Sequence, residues 1–214
     1  NEIYVHGLAK NRGIDLAKIV VSKITGVYID NAATFDFKAF KDIVDTLGGI
    51  DIHLDQPFSE KQQWGYEFTL PAGDNHLNGE QALYYVRSRF SSSDFDRARR
   101  QQQVIDAIKS KATGLGFLSN PTKITSLYSA LKGDITTDFN IWDIRDILST
   151  VQSLSKGSTK HHEITTANLL FETHIANGEY VLFPNGNNFD QMREYFKNAF
   201  ETQPIPPTPT PSPS

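Results

Sequence analysis

The 214-residue chain has no cysteine, which excludes a disulfide framework and a thiolate metal centre and leaves the redox compartment open. It also lacks an apolar run of transmembrane length, a signal peptide and an initiating methionine, since it opens at Asn1. We therefore expect a fragment. An excess of positive charge is missing too: the formal net charge is -4, so no global basic field draws the protein to nucleic acid or an anionic membrane, and nucleic acid is not an expected partner. Six histidines, including the pair His161 and His162, show no zinc-ligand spacing. "KGSTK" lacks the phosphate-loop pattern, and the serines from Ser91 to Ser93 lack a nucleophile elbow.

What is present is enough apolar sequence, 38% of the residues, for a sizeable core, and the economical organisation is one domain over residues 1–202. Six of the ten prolines follow in "PIPPTPTPSPS", so residues 203–214 are expected to form an extended, disordered tail. Helical pieces are predicted up to Gly26, a strand in "VYIDNAATFDF", and a helix over "FKAFKDIVDTL" capped by Asp36 and stopped by Gly48 and Gly49. "IDIHL" alternates as a strand. Asn78 with Gln81 resembles a capping box over a short helix, and "YYVRS" reads as a further strand. Helices are also predicted behind Asp94 to about Lys111, over "NIWDIRDILSTVQSL" and over "FDQMREYFKNAF", with β-rich sequence between the last two. Strands separated by helices predict an α/β fold, a layered α-β-α domain with a mixed central sheet flanked by helices.

Arginine is scarce and concentrated. Five of eight lie between Arg87 and Arg100, in a stretch with no lysine before Lys109. Arg87 and Arg89, two apart, project to one side of an extended segment and can form a clamp. Arg97, Arg100 and Gln101 share a helix face that becomes apolar at Val104, Ile105 and Ile108. Cations in the first turns of a helix oppose its macrodipole at about 0.3–1 kcal/mol each. An anion held by planar guanidinium forks and by the donors of that turn would compensate, and arginine suits bidentate phosphate recognition. The competing reading is that Asp94 and Asp96 pair with Arg97, Arg99 or Arg100 on a solvated helix end. Trp64 is either a sugar-stacking platform or a buried ring, and its neighbours leave both open.

"LNGEQALYYVRSR" followed by "DFDRARRQQQVI" resembles the core signature of the LytR-CpsA-Psr family. "NEIYVHG", "FKDIVDTLGGIDIHL" and "FTLPAGDNHLNGEQAL" resemble its other segments, so the likeness runs in order over residues 1–198. It implies an extracytoplasmic α/β domain at the bacterial cell membrane and wall, anchored through a segment ahead of Asn1. The implied activity is a phosphotransferase that moves glycopolymers, such as teichoic acid or other polysaccharide, from a polyprenyl-pyrophosphate carrier to a peptidoglycan acceptor. In that likeness Arg87 and Arg89 grip the pyrophosphate, joined by Arg97, Arg100 and Gln101, and the apolar side chains around Phe37, Phe40, Val104, Ile105 and Ile108 either line a prenyl tunnel or, the commoner fate of such residues, are ordinary core.

Mg²⁺ is the implied cofactor, with its carboxylates expected before Asn1, so no metal ligand is assigned in this chain. Asp94 and Arg97 are the candidate catalytic pair; Asp94 acts as general base or caps the helix and orients Arg97, the second role being the favoured one. Asp96 departs from the family, where glycine is frequent. The alternative function is a non-catalytic module or regulator that recognises phosphorylated lipid or wall polymer.

Overall fold

The computed structural model describes residues 13–90, 93–116, 120–131, 133–138 and 163–201. In chain order the elements are α1 (Gly13–Thr25), β1 (Ala33–Phe35), α2 (Phe37–Thr46), β2 (Ile50–Leu54), β3 (Phe58–Glu60), β4 (Phe68–Leu70), β5 (Gly73–Leu77), α3 (Gly79–Arg87), α4 (Asp94–Gly114), α5 (Pro121–Leu131), β6 (Ile135–Thr137), β7 (Leu170–His174), β8 (Tyr180–Pro184) and α6 (Asp190–Glu201). The chain divides into two compact units, Ala33–His161 and the combination of Asn1–Ala32 with His162–Ser214. The histidine pair, the helix expected over "NIWDIRDILSTVQSL" and the tail over 203–214 lie outside the described residues.

The fold is mixed α/β. Where one mixed central sheet was expected, the described strands form four antiparallel pairs: β1 with β6, β2 with β5, β3 with β4 and β7 with β8. The connections of β3 to β4 and of β7 to β8 are short loops, too short for the crossover that parallel neighbours need.

In the unit Ala33–His161, Asp36 caps α2 as its position predicts, its Oδ1 accepting from the Ala39 N–H at 2.8 Å. Gly48 and Gly49, at φ 76° and 85°, close the helix in the left-handed region and launch β2. Ile50, Ile52 and Leu54 point inward from β2 and meet Val44, Leu77, Tyr85, Val86 and Val104 in the core. Gly79 lets α3 lie directly on α2, because a Cβ there would stand 2.4 Å from the Lys41 carbonyl oxygen. Its N–H donates to Asp45 Oδ1 at 2.7 Å, and the capping box of Asn78 and Gln81 completes the start of α3.

Two local expectations are corrected here. "YYVRS" is not a strand: Tyr84, Tyr85, Val86 and Arg87 complete α3, since burial of Tyr85 and Val86 overrides the β-propensity of the run. The long helix is α4, but its cap is Ser93 rather than Asp94. A capping box needs an acid or amide three residues on; from Ser93 that residue is Asp96, whereas from Asp94 it would be Arg97.

The other unit joins α1 to α6. Gly26, at φ 73°, ends α1, and Arg193 of α6 donates through Nε and Nη2 to the Lys23 carbonyl at 3.0 and 2.7 Å, a cation on a helix C-terminus. The β7–β8 hairpin follows Leu169, whose side chain is buried.

Candidate functional site

The arginine cluster spans the end of α3 and the start of α4. Ser88 turns the chain out of α3 at φ -56° and ψ 130°, so that Arg87 is the last helical residue and Arg89 lies on the exit. A helix end leaves its last carbonyls short of backbone donors, and here those from Tyr84 to Arg87 all have partners. The Tyr84 carbonyl accepts from the Ser88 N–H at 3.0 Å and from Ser88 Oγ at 2.7 Å. Arg100 Nε donates to the Tyr85 carbonyl at 2.9 Å, Gln101 Nε2 to the Val86 carbonyl at 3.4 Å, and Gln63 Nε2 to the Arg87 carbonyl at 3.0 Å.

The five arginines divide by environment. Arg100 is buried, and its Nη2 also donates to the Ser88 carbonyl. Burial pushes its pKa down from the ordinary guanidinium value, and its charge centre sits 5.1 Å from the Phe58 ring and 5.7 Å from the Tyr85 ring. Arg97 pairs with Asp94 at 3.3 Å and Arg99 with Asp96, the pairing that the competing sequence reading described. Hydrogen bonds from Ser93, and then Arg99, hold the Asp96 pKa below its ordinary value. Among the described residues no such ion pair engages Arg87 or Arg89. The half-buried Arg87 guanidinium stacks on Phe37 at 4.0 Å and lies 5.2 Å from the Trp64 ring, while Arg89 is exposed.

Arg87 and Gln101 stand at the rim of a predominantly apolar pocket of about 270 Å³ walled by Phe37, Phe40, Leu83, Val86, Val104 and Ile105. Asp36 also lines the pocket, but its carboxylate is engaged in capping α2, so Arg87 and Gln101 are the groups left to meet an anionic head on an apolar chain. Arg89, Arg97 and Asp94 do not line it, and Ile108 packs against the core. A larger cleft, about 630 Å³, runs along another flank of α4 beside Asp96, Arg99, Arg100 and Gln103. Its inner polar groups bind one another: Tyr85 Oη donates to Gln103 Oε1 at 2.8 Å, and Gln103 Nε2 to the His53 carbonyl at 2.7 Å.

Sequence reasoning missed the loop between β3 and β4. Gln63 Oε1 accepts from the Arg89 N–H at 2.9 Å, and the fully buried Glu60 accepts from the Phe90 N–H at 3.1 Å. Trp64 is neither open platform nor deep core: half-buried, it stacks on Tyr84 at 4.4 Å between ring centroids and donates to Ser88 Oγ at 3.2 Å. The one signal in "EKQQW" was a tryptophan beside two amides, which carries no address for partners more than twenty residues away.

The model of the LytR_cpsA_psr family matches residues 1–198. The chain belongs to the LytR-CpsA-Psr family. It is 28% identical over 209 residues to the cell wall biosynthesis protein LcpA of Corynebacterium glutamicum, covering 96% of this chain and 39% of that protein. With the polyisoprenyl-teichoic acid–peptidoglycan teichoic acid transferase TagU of Bacillus subtilis it shares 33% identity over 160 residues, 71% of this chain and 47% of the relative. The chain therefore spans less than half the length of these two curated relatives. The crystal structure of B. subtilis TagV superposes with a TM-score of 0.63 at 26% identity, over 89% of this chain and 71% of that one. Within this LytR-CpsA-Psr chain, the arginine-rich signature is the segment that closes α3 and opens α4.

Proposed function

We propose that this chain carries the donor-binding part of a phosphotransferase that attaches a glycopolymer, of the teichoic acid kind, from a polyprenyl-pyrophosphate carrier to peptidoglycan at the cell envelope. The observation that carries the reading is Arg87 stacked on Phe37 at the rim of an apolar pocket. Such a rim suits a pyrophosphate, and the pocket suits the first isoprene units behind it. Family membership and the names of the relatives, cell wall biosynthesis protein and teichoic acid transferase, support the same assignment. The acting protein would be anchored at the extracytoplasmic face of the membrane.

In the reaction, a hydroxyl oxygen of the acceptor sugar bonds to the sugar-linked phosphorus. The bridging P–O bond breaks, polyprenyl phosphate leaves with the electron pair, and the hydroxyl proton passes to solvent or to the released phosphate. Arg87 and Arg89 would neutralise the charge that gathers on the leaving phosphate. Arg97 would add a third guanidinium, held in place by Asp94 at 3.3 Å, a contact that supports the orienting role of Asp94 over that of general base. Arg100 and Gln101 bind α3 carbonyls, so in our reading their first task is to build the site, with Gln101 also reaching its rim. When bound, the Mg²⁺ that the family implies would supply further positive charge to the pyrophosphate. The described residues contain no group of three or more potential ligands for it.

Replacing both Arg87 and Arg89 by Ala should abolish binding of a polyprenyl phosphate while lowering Tm by only about 2–4 °C, since Arg89 is exposed and the stacking of half-buried Arg87 on Phe37 is worth about 0.5–1 kcal/mol. Unchanged lipid binding would refute the clamp. Transfer of a lipid-linked glycopolymer to peptidoglycan by the full-length protein tests catalysis; tight binding without transfer would point to the non-catalytic module instead.

A further inference from the structure

The segment from Arg87 to Phe90 is held from outside by side chains of one loop. The Gln63 carboxamide spans Ser88, donating to the Arg87 carbonyl at 3.0 Å and accepting from the Arg89 N–H at 2.9 Å. Only one orientation of the amide serves both contacts, because the flipped group would set oxygen against oxygen and N–H against N–H. Next to it, Glu60 accepts from the Phe90 N–H at 3.1 Å and from the Gln62 N–H at 3.0 Å, which also braces its own loop. Glu60 ends β3, which Phe58 joins to the core through an edge-on contact with Tyr85 at 5.0 Å. The clip thus stands on a rigid strand.

This arrangement turns the N–H groups of Arg89 and Phe90 toward Gln63 and Glu60. The clamp is therefore not a nest of main-chain donors, and its anion must be taken by the guanidinium groups. Two long side chains grip one ligand well only if their Cα positions are set beforehand. We infer that Gln63 is a positioning residue for the Arg87–Arg89 clamp, fixing the spacing and direction of the two arginines so that both reach one pyrophosphate. The inference rests on the reading of Arg87 and Arg89 as the anion grip.

The test is a double-mutant cycle between Gln63→Met and Arg89→Ala. The full-length protein is titrated with geranylgeranyl pyrophosphate, and the Tm of each variant is recorded without ligand. Methionine keeps the length of glutamine and removes both hydrogen bonds. Gln63→Met should weaken binding about tenfold with Arg89 present, by losing preorganisation, and far less in the Arg89→Ala background, because positioning has no effect on an absent side chain. Gln63→Ala should give the same pattern at equal ligand-free Tm. Undiminished affinity in both Gln63 variants, with Arg89→Ala weakened, would sink the positioning role and leave the clamp standing. An equal loss with and without Arg89 would also overturn it, showing that Gln63 acts on its own. No loss in Arg89→Ala would remove the clamp reading, and this inference with it.

Discussion

Arg100 is where the structure demands a different outcome from a ligand contact. Arg100→Ala removes Nε and Nη2 from the Tyr85 and Ser88 carbonyls and empties the space beside Phe58. Each buried acceptor left without a partner costs about 1–3 kcal/mol, and the lost ring contacts about 0.5–2 kcal/mol. Relief of the desolvated guanidinium offsets part of this, since burying a charge is itself unfavourable. A net loss of about 3 kcal/mol remains, which for a domain of this size lowers Tm by roughly 6–12 °C. Arg100→Lys should fall nearly as far, because one ammonium cannot fork to two carbonyls on either side of a helix end. Thermal unfolding followed by circular dichroism, with no ligand present, gives the answer. If Arg100→Ala melted within about 2 °C of the parent and lost only lipid binding, Arg100 would be a ligand contact and our account of its burial would be wrong.

Three further outcomes follow from local geometry. Gly79→Ala sets a Cβ 2.4 Å from the Lys41 carbonyl oxygen, so α3 must move off α2 at a cost of about 1–3 kcal/mol, read as a lower urea midpoint. Ser93→Ala breaks the capping box of α4 and should cost about 1 kcal/mol, seen in the same titration, whereas Asp94→Ala leaves that box intact. The Asp74 hydrogen bond raises the His53 pKa above its ordinary 6.5. A raised folded-state value gives stability that is full below about pH 6.5 and is lost as pH rises through the folded pKa, so Tm should step down slightly there, and His53→Gln should flatten the step.

The parts legible in the sequence were those specified by neighbours along the chain. Asp36 before "FKAF", the glycines after Leu47 and the Asn78–Gln81 pair each declare a helix boundary through contacts within four residues. The cap of α4 falls one position before Asp94 because Ser93 and Asp94 are both good cap residues, and only the box partner at Asp96 separates them. "YYVRS" was misread because the burial of Tyr85 and Val86 is a tertiary fact. The arginine cluster suggests an anion site, the reading proposed above, yet its composition does not sort the five side chains. Arg100 differs from Arg99 only in the direction it faces on α4, and that direction is set by Phe58 and by the end of α3, both distant in sequence.

That sorting explains why an anion grip can stand at the end of α3 at all. The C-terminus of a helix carries about half a negative charge on its last carbonyls, which favours Arg87 there but repels a pyrophosphate brought to it. The repulsion is removed only if those carbonyls are covered, and in this chain each of the four accepts a hydrogen bond: Tyr84 from Ser88, Tyr85 from Arg100, Val86 from Gln101 and Arg87 from Gln63. Each of the four meets a side-chain donor, and one of these donors is a buried cation. On the proposed reading the signature carries two functions in one run: Arg87 and Arg89 would face the ligand, while Arg100 and Gln101 donate to the carbonyls of the helix end behind them. Gln63 supplies the remaining donor from a loop that the signature does not include, which is why its substitution is the sharper probe of how the clamp is built.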